Sequence, residues 1–505
     1  MSFASEQLTK PRMIITADPE LDDNNSLIRF LLYSSDFKVE GLIYASSQFH
    51  WKGDGKGTTF MVPGREYTKF GLSLCPCTSY RWKPGERFIH EAVEAYEKVY
   101  PNLKIHDPAY PSPAYLFSKI KYGNINFEGD FSENTEGSNL IKTAILDQIP
   151  GPLYITAWGG ESTIARALKS IEDENKNKPN WKQLKAAISK KVVLLSSGHQ
   201  DLTYVQYIHP NWPDIDCRQY QKGPNYGYGA QFNASTENAG LLTPSWMQQH
   251  IRSVGPLGEI YRVWGDGKQM VKGDPFDYFG LDGYTNEELK KMGYIVWMPK
   301  QEKGSWLGEG DTGTFMNLLD NGLQAIDPDA PGGWGGKPFL PNPKTYTDPF
   351  SNDTSKVKEL VISEEFMKKI AESEDNSVAF PNFFPAAQHD FAARMKWSVT
   401  NNFKSANHAP VIQFKGSTII HAKPGEQINL NATVKEPDGE QYEVKWWQFS
   451  KKQTETVLDI KQNNQLQTSV SIPANAKKQT LYLVLQVKDK NENSLTSYQL
   501  VKIII

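Results

Sequence analysis

Cysteine is scarce in this chain of 505 residues, which contains only Cys75, Cys77 and Cys217. Three cysteines do not build a disulfide framework, and their spacing matches no zinc site. The Cys75-Pro76-Cys77 segment is too tight for its two cysteines to pair easily, so we expect no disulfide there. So few cysteines fit either a reduced compartment or a large exported protein, and the redox environment stays open.

Long apolar runs are missing as well. No stretch of about 18 apolar residues occurs, and the N-terminal MSFASEQLTK lacks the apolar core of a secretion signal. The sequence therefore predicts no membrane span and a disordered tail over residues 1–10. We expect a periplasmic or extracellular location, with the signal peptide absent from this sequence. A cytoplasmic location is the alternative.

An excess of one charge is the third absence, since 55 Lys and Arg stand against 58 Asp and Glu. The basic residues are scattered among acidic ones and form no stripe along the chain. Proteins that bind nucleic acid usually concentrate positive charge. We therefore expect no nucleic-acid partner.

Aromatic residues are abundant, at 12% of the chain with 13 Trp. Such usage is common where sugars stack, although large rings also pack protein cores. Four tryptophans fall in polar turns flanked by glycine, where a core role is less natural: Trp51, Trp158, Trp306 and Trp334. We predict sugar-stacking walls from these rings. The alternative is that they pack insertions onto the sheet.

The first part of the chain alternates between strand and helix patterns. An apolar run over 12–16, helical spacing over 27–32 and a second apolar run over 39–44 form a βαβ unit. The same order returns between 153 and 195. These patterns predict an α/β domain over 11–408 with a mostly parallel sheet and flanking helices. Ligands of such sheets collect at the carboxyl ends of the strands.

Loops rich in Gly, Pro, Trp and Asn dominate between about 200 and 350 and are expected to wall a pocket. Within them we predict a helix over 244–252 capped by Thr243, and another starting near Thr312. From 409 to 505 apolar and polar residues alternate, which predicts half-buried strands. About 95 residues suffice for one immunoglobulin-like β-sandwich. This domain is expected to bind polysaccharide, to act as a spacer, or to pack as a lid.

The densest polar feature is Asp18-Pro19-Glu20-Leu21-Asp22-Asp23, which places four carboxylates directly after a buried strand. Carboxylates packed this closely repel one another unless a cation such as calcium neutralises them. A second acidic turn, Glu309-Gly310-Asp311-Thr312, precedes another apolar stretch. The two turns can converge on one ion. The alternative is helix capping, by Asp22 or Asp23 in the first turn and by Asp311 or Thr312 in the second.

The DPELDD segment resembles the aspartate motif of the nucleoside hydrolases. The resemblance implies that Asp18 is a calcium ligand and the base for the attacking water, and that Asp22 grips sugar hydroxyls. It further implies that Asp23 and Asp311 are calcium ligands and that Ser162 offers its backbone carbonyl to the ion. Calcium is thus the expected cofactor.

The chain is more closely similar to the DUF1593 family, which pairs a nucleoside hydrolase-like domain with a C-terminal immunoglobulin-like one and includes proteins described as cellulose-binding. The similarity spans almost the whole chain. It is carried by RMIITADPELDDNNSLIRFLLYS, EGLIYASSQFHWKG, the WGG turn at Trp158, GPLGEIY, EGDTGTF, GGWGG and DFAARMKWSV.

Several positions depart from the nucleoside hydrolase pattern. Thr16 replaces its earliest aspartate, Glu20 replaces a glycine, and Gly310 stands where a leaving-group histidine is expected. An asparagine after the second strand is also absent around 45–47. These differences from the motif argue against a reaction in which a purine or pyrimidine base is the leaving group.

We therefore predict a calcium-dependent glycoside hydrolase acting on a plant or algal poly- or oligosaccharide, with inversion by direct water attack. The alternatives are a non-catalytic carbohydrate-binding protein and a nucleoside N-ribohydrolase. Asp18 is the predicted base. The candidates for the general acid are Glu161, Glu309, His199 and Asp201. The residues expected to contact the carbohydrate are Asp22, His50, Trp51, Trp158, Gln200, Asp201 and Trp334.

Overall fold

A computed structural model describes residues 10–68, 72–339 and 378–505. Seven strands form the first sheet in the order β3-β2-β1-β4-β5-β6-β7. All neighbours are parallel except β7, which runs antiparallel to β6. Their bounds are β1 Arg12–Ala17, β2 Lys38–Tyr44, β3 Ile120–Tyr122, β4 Leu153–Ala157, β5 Val192–Ser196, β6 Asp216–Gln221 and β7 Lys337–Phe339.

The predicted strands near 12, 39, 153 and 192 are confirmed, as is the mostly parallel α/β sheet. Every residue of β1 is buried because the sheet is covered on both faces. Met13 and Ile15 pack into one large core, and Ile14 packs into a second core on the opposite face. The two cores hold the carboxyl end of β1 in a fixed place.

Helices surround this sheet and fill its connections. Thr243 accepts a hydrogen bond from the Trp246 amide and caps a short helix that continues as a π-turn to Arg252, so the predicted helix over 244–252 is confirmed. The helix expected near Thr312 begins at Gly313. The helices are α1 Leu21–Leu32, α2 Phe88–His106, α3 Pro113–Lys119, α4 Glu136–Leu146, α5 Ser162–Asn175, α6 Trp181–Lys191, α7 His209–Asn211, α8 Thr236–Gly240, α9 Pro244–Met247, α10 Gly255–Ile260, α11 Asn286–Lys291, α12 Gly313–Met316 and α13 Phe384–Ser398.

The C-terminal part is an all-β sandwich of two four-stranded sheets, ordered β12-β13-β10-β8 and β11-β14-β15-β9. Leu430, Trp446, Val470 and Leu483 are among the side chains that fill the space between the sheets. Its strands are β8 Val411–Phe414, β9 Ile419–His421, β10 Gln427–Lys435, β11 Tyr442–Gln448, β12 Asp459–Lys461, β13 Gln467–Ser471, β14 Thr480–Asp489 and β15 Thr496–Ile504.

The sandwich packs directly on the α/β domain. Phe383, at the start of α13, contacts the rings of Trp447, Phe449 and Tyr498 on the sandwich. Trp446 points into the sandwich core, whereas Trp447 points the other way toward this interface. The amides of Tyr498 and Leu500 donate to the carbonyls of the 321–322 loop at 3.0 and 2.9 Å. The two domains are therefore joined by rings and by backbone hydrogen bonds.

One expectation about cysteine is wrong, because Cys75 and Cys77 form a disulfide. Their Cα atoms lie 4.4 Å apart, at the short end of the range that a disulfide spans. The peptide bond between Cys75 and Pro76 is cis. Cys217 is a free, buried thiol.

The expected N-terminal tail covers residues 1–10. Of these, only Lys10 lies within the described residues. In the ranges that the structure describes, no helix is both long and apolar enough to cross a membrane.

Candidate functional site

The first acidic turn leaves β1 at Asp18, whose side chain is fully buried. Neither carboxylate oxygen of Asp18 has a hydrogen-bond partner among the described residues. The Asp18 amide donates to Oδ1 of Asp23 at 3.1 Å, which turns the second carboxylate back toward the first. A buried, unpartnered carboxylate is costly in free energy unless a charged group meets it.

Capping does not explain this cluster. The N-cap of α1 is Glu20, which makes no side-chain cap bond. Asp22 accepts hydrogen bonds from the Tyr228 hydroxyl at 3.3 Å and from the Gly310 amide at 3.2 Å. Asp22 is therefore tied to two other loops.

The bond from Gly310 joins the two acidic turns, as expected, whereas their convergence on one ion stays a prediction. A Cβ atom at position 310 would lie 2.3 Å from Oδ2 of Asp22, which explains why glycine stands there. Asp311 is 2% exposed, and its Oδ2 has no partner among the described residues. Thr312 precedes α12 without a side-chain cap bond, so capping does not explain the second turn either.

Burial and mutual repulsion dominate the electrostatics of the cluster. Burial, followed by the neighbouring carboxylates, raises the pKa values of Glu20, Asp23 and Asp311 well above their ordinary range. The same causes raise the pKa of Asp22 to about 6. This set of buried oxygens matches the ligands that a hard divalent cation takes in proteins.

The Gly159-Gly160 turn after β4 lies against the cluster. A Cβ atom on Gly159 would lie 3.1 Å from Cγ of Asp18, and one on Gly160 would lie 2.3 Å from Oδ2 of Asp201. The Gly160 amide donates to the Ser46 carbonyl at 2.9 Å. The absence of side chains lets this backbone approach both carboxylates closely.

Ser162 and Asp201 have structural roles at the start of α5. The Ser162 amide donates to Oδ2 of Asp201 at 3.0 Å, and the Thr203 amide donates to Oδ1 at 2.8 Å. Asp201 therefore stabilises the start of this helix from outside it, and its predicted contact with the carbohydrate stays a prediction. Ser162 is the first residue of α5, and its predicted carbonyl contact with calcium stays a prediction.

Glu309 forms a fully buried ion pair with Arg29 of α1. Its two oxygens also accept hydrogen bonds from the Tyr261 and Thr312 hydroxyls. Arg29 stacks on the Phe391 ring at 3.9 Å. This arrangement contradicts the prediction that Glu309 is a catalytic acid, because every oxygen is already engaged by a donor.

Glu161 is fully buried and bonded through Oε1 to Nδ1 of His199 and to the Ser196 hydroxyl. Burial raises the pKa of Glu161, and the contact with His199 opposes that rise. Oε2 of Glu161 has no partner among the described residues. The predicted role of Glu161 as an acid stays a prediction.

The predicted stacking walls are wrong. Trp51, Trp158, Trp306 and Trp334 are at most 2% exposed, because the insertions that carry them fold back onto the sheet. Trp51 packs among Phe60, Tyr80 and Phe127, and the other three belong to the large core.

Gln200 supports the turn that carries the glycines. Its side-chain amide donates to the Trp158 carbonyl at 2.6 Å. The Trp158 ring itself donates to the Thr314 hydroxyl at 2.9 Å. Oε1 of Gln200 has no partner among the described residues, so its predicted sugar contact stays a prediction.

His50 lies beside the acidic cluster, and its predicted contact with the carbohydrate stays a prediction. It is 1% exposed, and its Nδ1 lies 3.4 Å from Oδ2 of Asp18 without forming a hydrogen bond. Burial and the nearby Arg81 charge lower the pKa of His50, against the attraction of Asp18. The imidazole is therefore neutral near pH 7.

Arg81 and Tyr228 belong to the site although the sequence did not identify them. Arg81 has a positive φ of 48° and donates through Nε to Asp274 at 2.6 Å. It follows Tyr80, whose backbone forms a bridge with Trp51. A positive φ in a bulky residue is uncommon, and no local sequence pattern predicts it here.

A cleft of about 370 Å³ opens beside the cluster at the carboxyl ends of β5 and β6. Ser197, Asn225, Gly227, Gly310 and Gly313 are among the residues that line it. The glycines leave backbone groups accessible along its wall. Clefts of this size at this edge of a parallel sheet are common ligand sites.

The parallel sheet with an acidic cluster at the end of its first strand defines a nucleoside hydrolase-like protein. The family model described as "Cellulose-binding Sde182, nucleoside hydrolase-like domain" matches residues 12–337, and the chain belongs to this family. The model described as "Cellulose-binding protein Sde0182, C-terminal domain" matches residues 427–505. The family expected from the sequence is thereby confirmed.

A solved structure has the same fold over almost the whole chain. It is described as a nucleoside hydrolase-related hypothetical protein from Saccharophagus degradans that is associated with carbohydrate metabolism. Sequence identity is 21% and the TM-score is 0.67, over 98% of this chain and 99% of that one. A comparison with curated proteins gives no match.

Proposed function

We propose that this protein is a calcium-dependent glycoside hydrolase that acts on a plant or algal poly- or oligosaccharide. The observation that carries the proposal is the fully buried Asp18 carboxylate, whose two oxygens have no partner among the described residues. The cellulose-binding description of the family and the carbohydrate association of the solved relative support a saccharide ligand.

Asp18, Asp23 and Asp311 would hold the calcium ion. The unpartnered oxygens of Asp18 and Asp311 and the raised pKa of Asp311 support this assignment. When bound, calcium would lower the pKa of the attacking water and would contact sugar hydroxyls. Asp18 is the proposed base, which takes the proton of that water.

Asp22 is the residue proposed to bind sugar hydroxyls. The Tyr228 hydroxyl and the Gly310 amide fix its orientation, so its oxygens are aimed before a ligand arrives. A carboxylate accepts hydrogen bonds only, which suits sugar hydroxyls as donors. The adjoining cleft of about 370 Å³ offers room for a further sugar unit.

The second candidate function is carbohydrate binding without catalysis. It is favoured by one observation, namely that Glu309 is fully engaged by Arg29, Tyr261 and Thr312. With glycine at position 310, the carboxylates that remain as candidates for the leaving-group acid are Glu161 and Asp201. A protein without that acid would retain the sugar grip and the metal site.

The test is a panel of soluble glucans and plant and algal glycans, with product analysis by NMR and binding by calorimetry on the same samples. We expect Asp18→Asn to abolish turnover while the protein stays folded. Asp214→Asn, at an exposed aspartate, is the matched control and should behave as wild type. Full turnover by Asp18→Asn would refute the assigned base. Binding without turnover by wild type would favour the second candidate. Inosine and uridine assays test the nucleoside alternative.

A further inference from the structure

We propose that His50, Asp18 and Glu20 form a second cation position beside the calcium position, and that it takes a nitrogen-accepting divalent ion such as Mn²⁺ or Zn²⁺. The inference rests on the proposed metal site, which would share Asp18, but not on hydrolysis. One ligand atom from each of the three residues lies within 4.8 Å of the others.

The geometry of His50 points to an ion. Its Nδ1 is buried without a hydrogen-bond partner among the described residues, and it lies 3.4 Å from Oδ2 of Asp18. Two donors that are each about 2.1 Å from a common ion, at a tetrahedral angle, lie roughly 3.4 Å apart. A polar nitrogen buried next to an equally unpartnered oxygen costs free energy, and a shared cation removes that cost.

The chemistry of the donors selects the ion. Calcium takes oxygen ligands, whereas imidazole suits zinc and other transition ions, and carboxylates also suit manganese. A set of one imidazole and two carboxylates therefore favours Mn²⁺ or Zn²⁺ over calcium. Glu20 stands where the nucleoside hydrolase motif has glycine, so this chain supplies an extra carboxylate at that point.

The negative charge of the cluster is large enough to be offset by two divalent cations. Five carboxylates gather here: Asp18, Glu20, Asp22, Asp23 and Asp311. The nearby cation, Arg81, is already bonded to Asp274 at 2.6 Å. One divalent ion offsets two of the five negative charges, and a second offsets two more. Glu20 is only partly buried, which gives this position an opening to solvent.

The test uses the full chain stripped of metal with a chelator and loaded with Mn²⁺, with Co²⁺ as a spectroscopic substitute for Zn²⁺. We expect metal analysis to give two ions per chain when Mn²⁺ and Ca²⁺ are both supplied. Pulsed EPR of the Mn²⁺ form should show nitrogen coupling from a histidine. His50→Ala should remove that coupling and weaken Mn²⁺ binding at least about tenfold, since even indirect support of a metal ligand is worth that much.

Glu20→Gly provides an independent variant at a partly buried residue, should His50→Ala unfold the protein. It should keep the nitrogen coupling but weaken Mn²⁺ binding. His421→Ala, at an exposed histidine, is the matched control and should change neither. Wild-type protein that binds no Mn²⁺, or nitrogen coupling that survives in a folded His50→Ala protein, would overturn the inference. Either result leaves the test of Asp18 as the base intact, because that test measures turnover.

Discussion

Replacing Glu309 by Gln tests whether this buried carboxylate is structural or catalytic. The substitution leaves the Arg29 guanidinium buried opposite a neutral amide. Arg29 keeps its bonds to Gln388 at 2.7 Å and to the Ala387 carbonyl at 3.2 Å, and it keeps the Phe391 ring at 3.9 Å. Removing one partner of a buried ion pair typically costs 3–5 kcal/mol, and we expect about 3 kcal/mol because these contacts remain.

The assay is urea unfolding followed by tryptophan fluorescence, with turnover measured on the folded protein. Glu302→Gln, at an exposed glutamate seven residues earlier, is the control and should change the unfolding free energy by less than about 0.5 kcal/mol. A Glu309→Gln protein of unchanged stability that has lost turnover would refute the structural role. It would restore Glu309 as the leaving-group acid.

Three further outcomes are expected. The native protein should show no thiol reactive to Ellman's reagent, one after denaturation and three after reduction, because Cys217 is buried and the other two cysteines are bonded; three reactive thiols in the denatured protein before reduction would contradict the disulfide. Gly310→Ala should lower carbohydrate affinity without unfolding the chain, since the new methyl group would meet the movable end of Asp22 at 2.3 Å; unchanged affinity in calorimetry would contradict the proposed grip. Although burial alone would raise it, hydrogen bonds from Arg12 and a lysine lower the pKa of Asp147 to about 2. Its contribution to stability is therefore present above about pH 4 and is lost as the pH falls toward 2, and acid titration of Asp147→Asn should lack this component.

The sequence predicts the frame of the site well. The strand at 12–16 and the turn after β4 follow from short apolar runs, and the edge rule for parallel sheets brings their loops together. The approach of the Gly310 turn to Asp22 was also predicted, from two acidic turns that each precede an apolar stretch. Local patterns thus specify both the sheet and the carboxylates at its edge.

The contacts that depend on distant partners could not be predicted. Arg29 lies 280 positions before Glu309, and no local pattern pairs them. Arg81 likewise pairs with Asp274, which lies 193 positions later in the chain. The glycine-flanked tryptophans have the composition of exposed turns, yet distant segments of the chain cover them: Phe384 packs on Trp306, and Tyr498 packs on Trp334. Whether a long loop is buried depends on the whole fold, so it cannot be predicted from the local sequence.

The backbone bonds between the 321–322 loop and β15 have a consequence for solubility. Beyond the short β9, the outer side of β15 is paired with the carbonyls of Asn321 and Gly322, so the α/β domain takes the place of a neighbouring strand. Unpaired strand edges are templates for association with other chains. A sandwich separated from its partner domain would expose this edge together with the rings of Trp447 and Tyr498, and it should self-associate where the whole chain does not. Here the interface between the domains also acts as protection against aggregation.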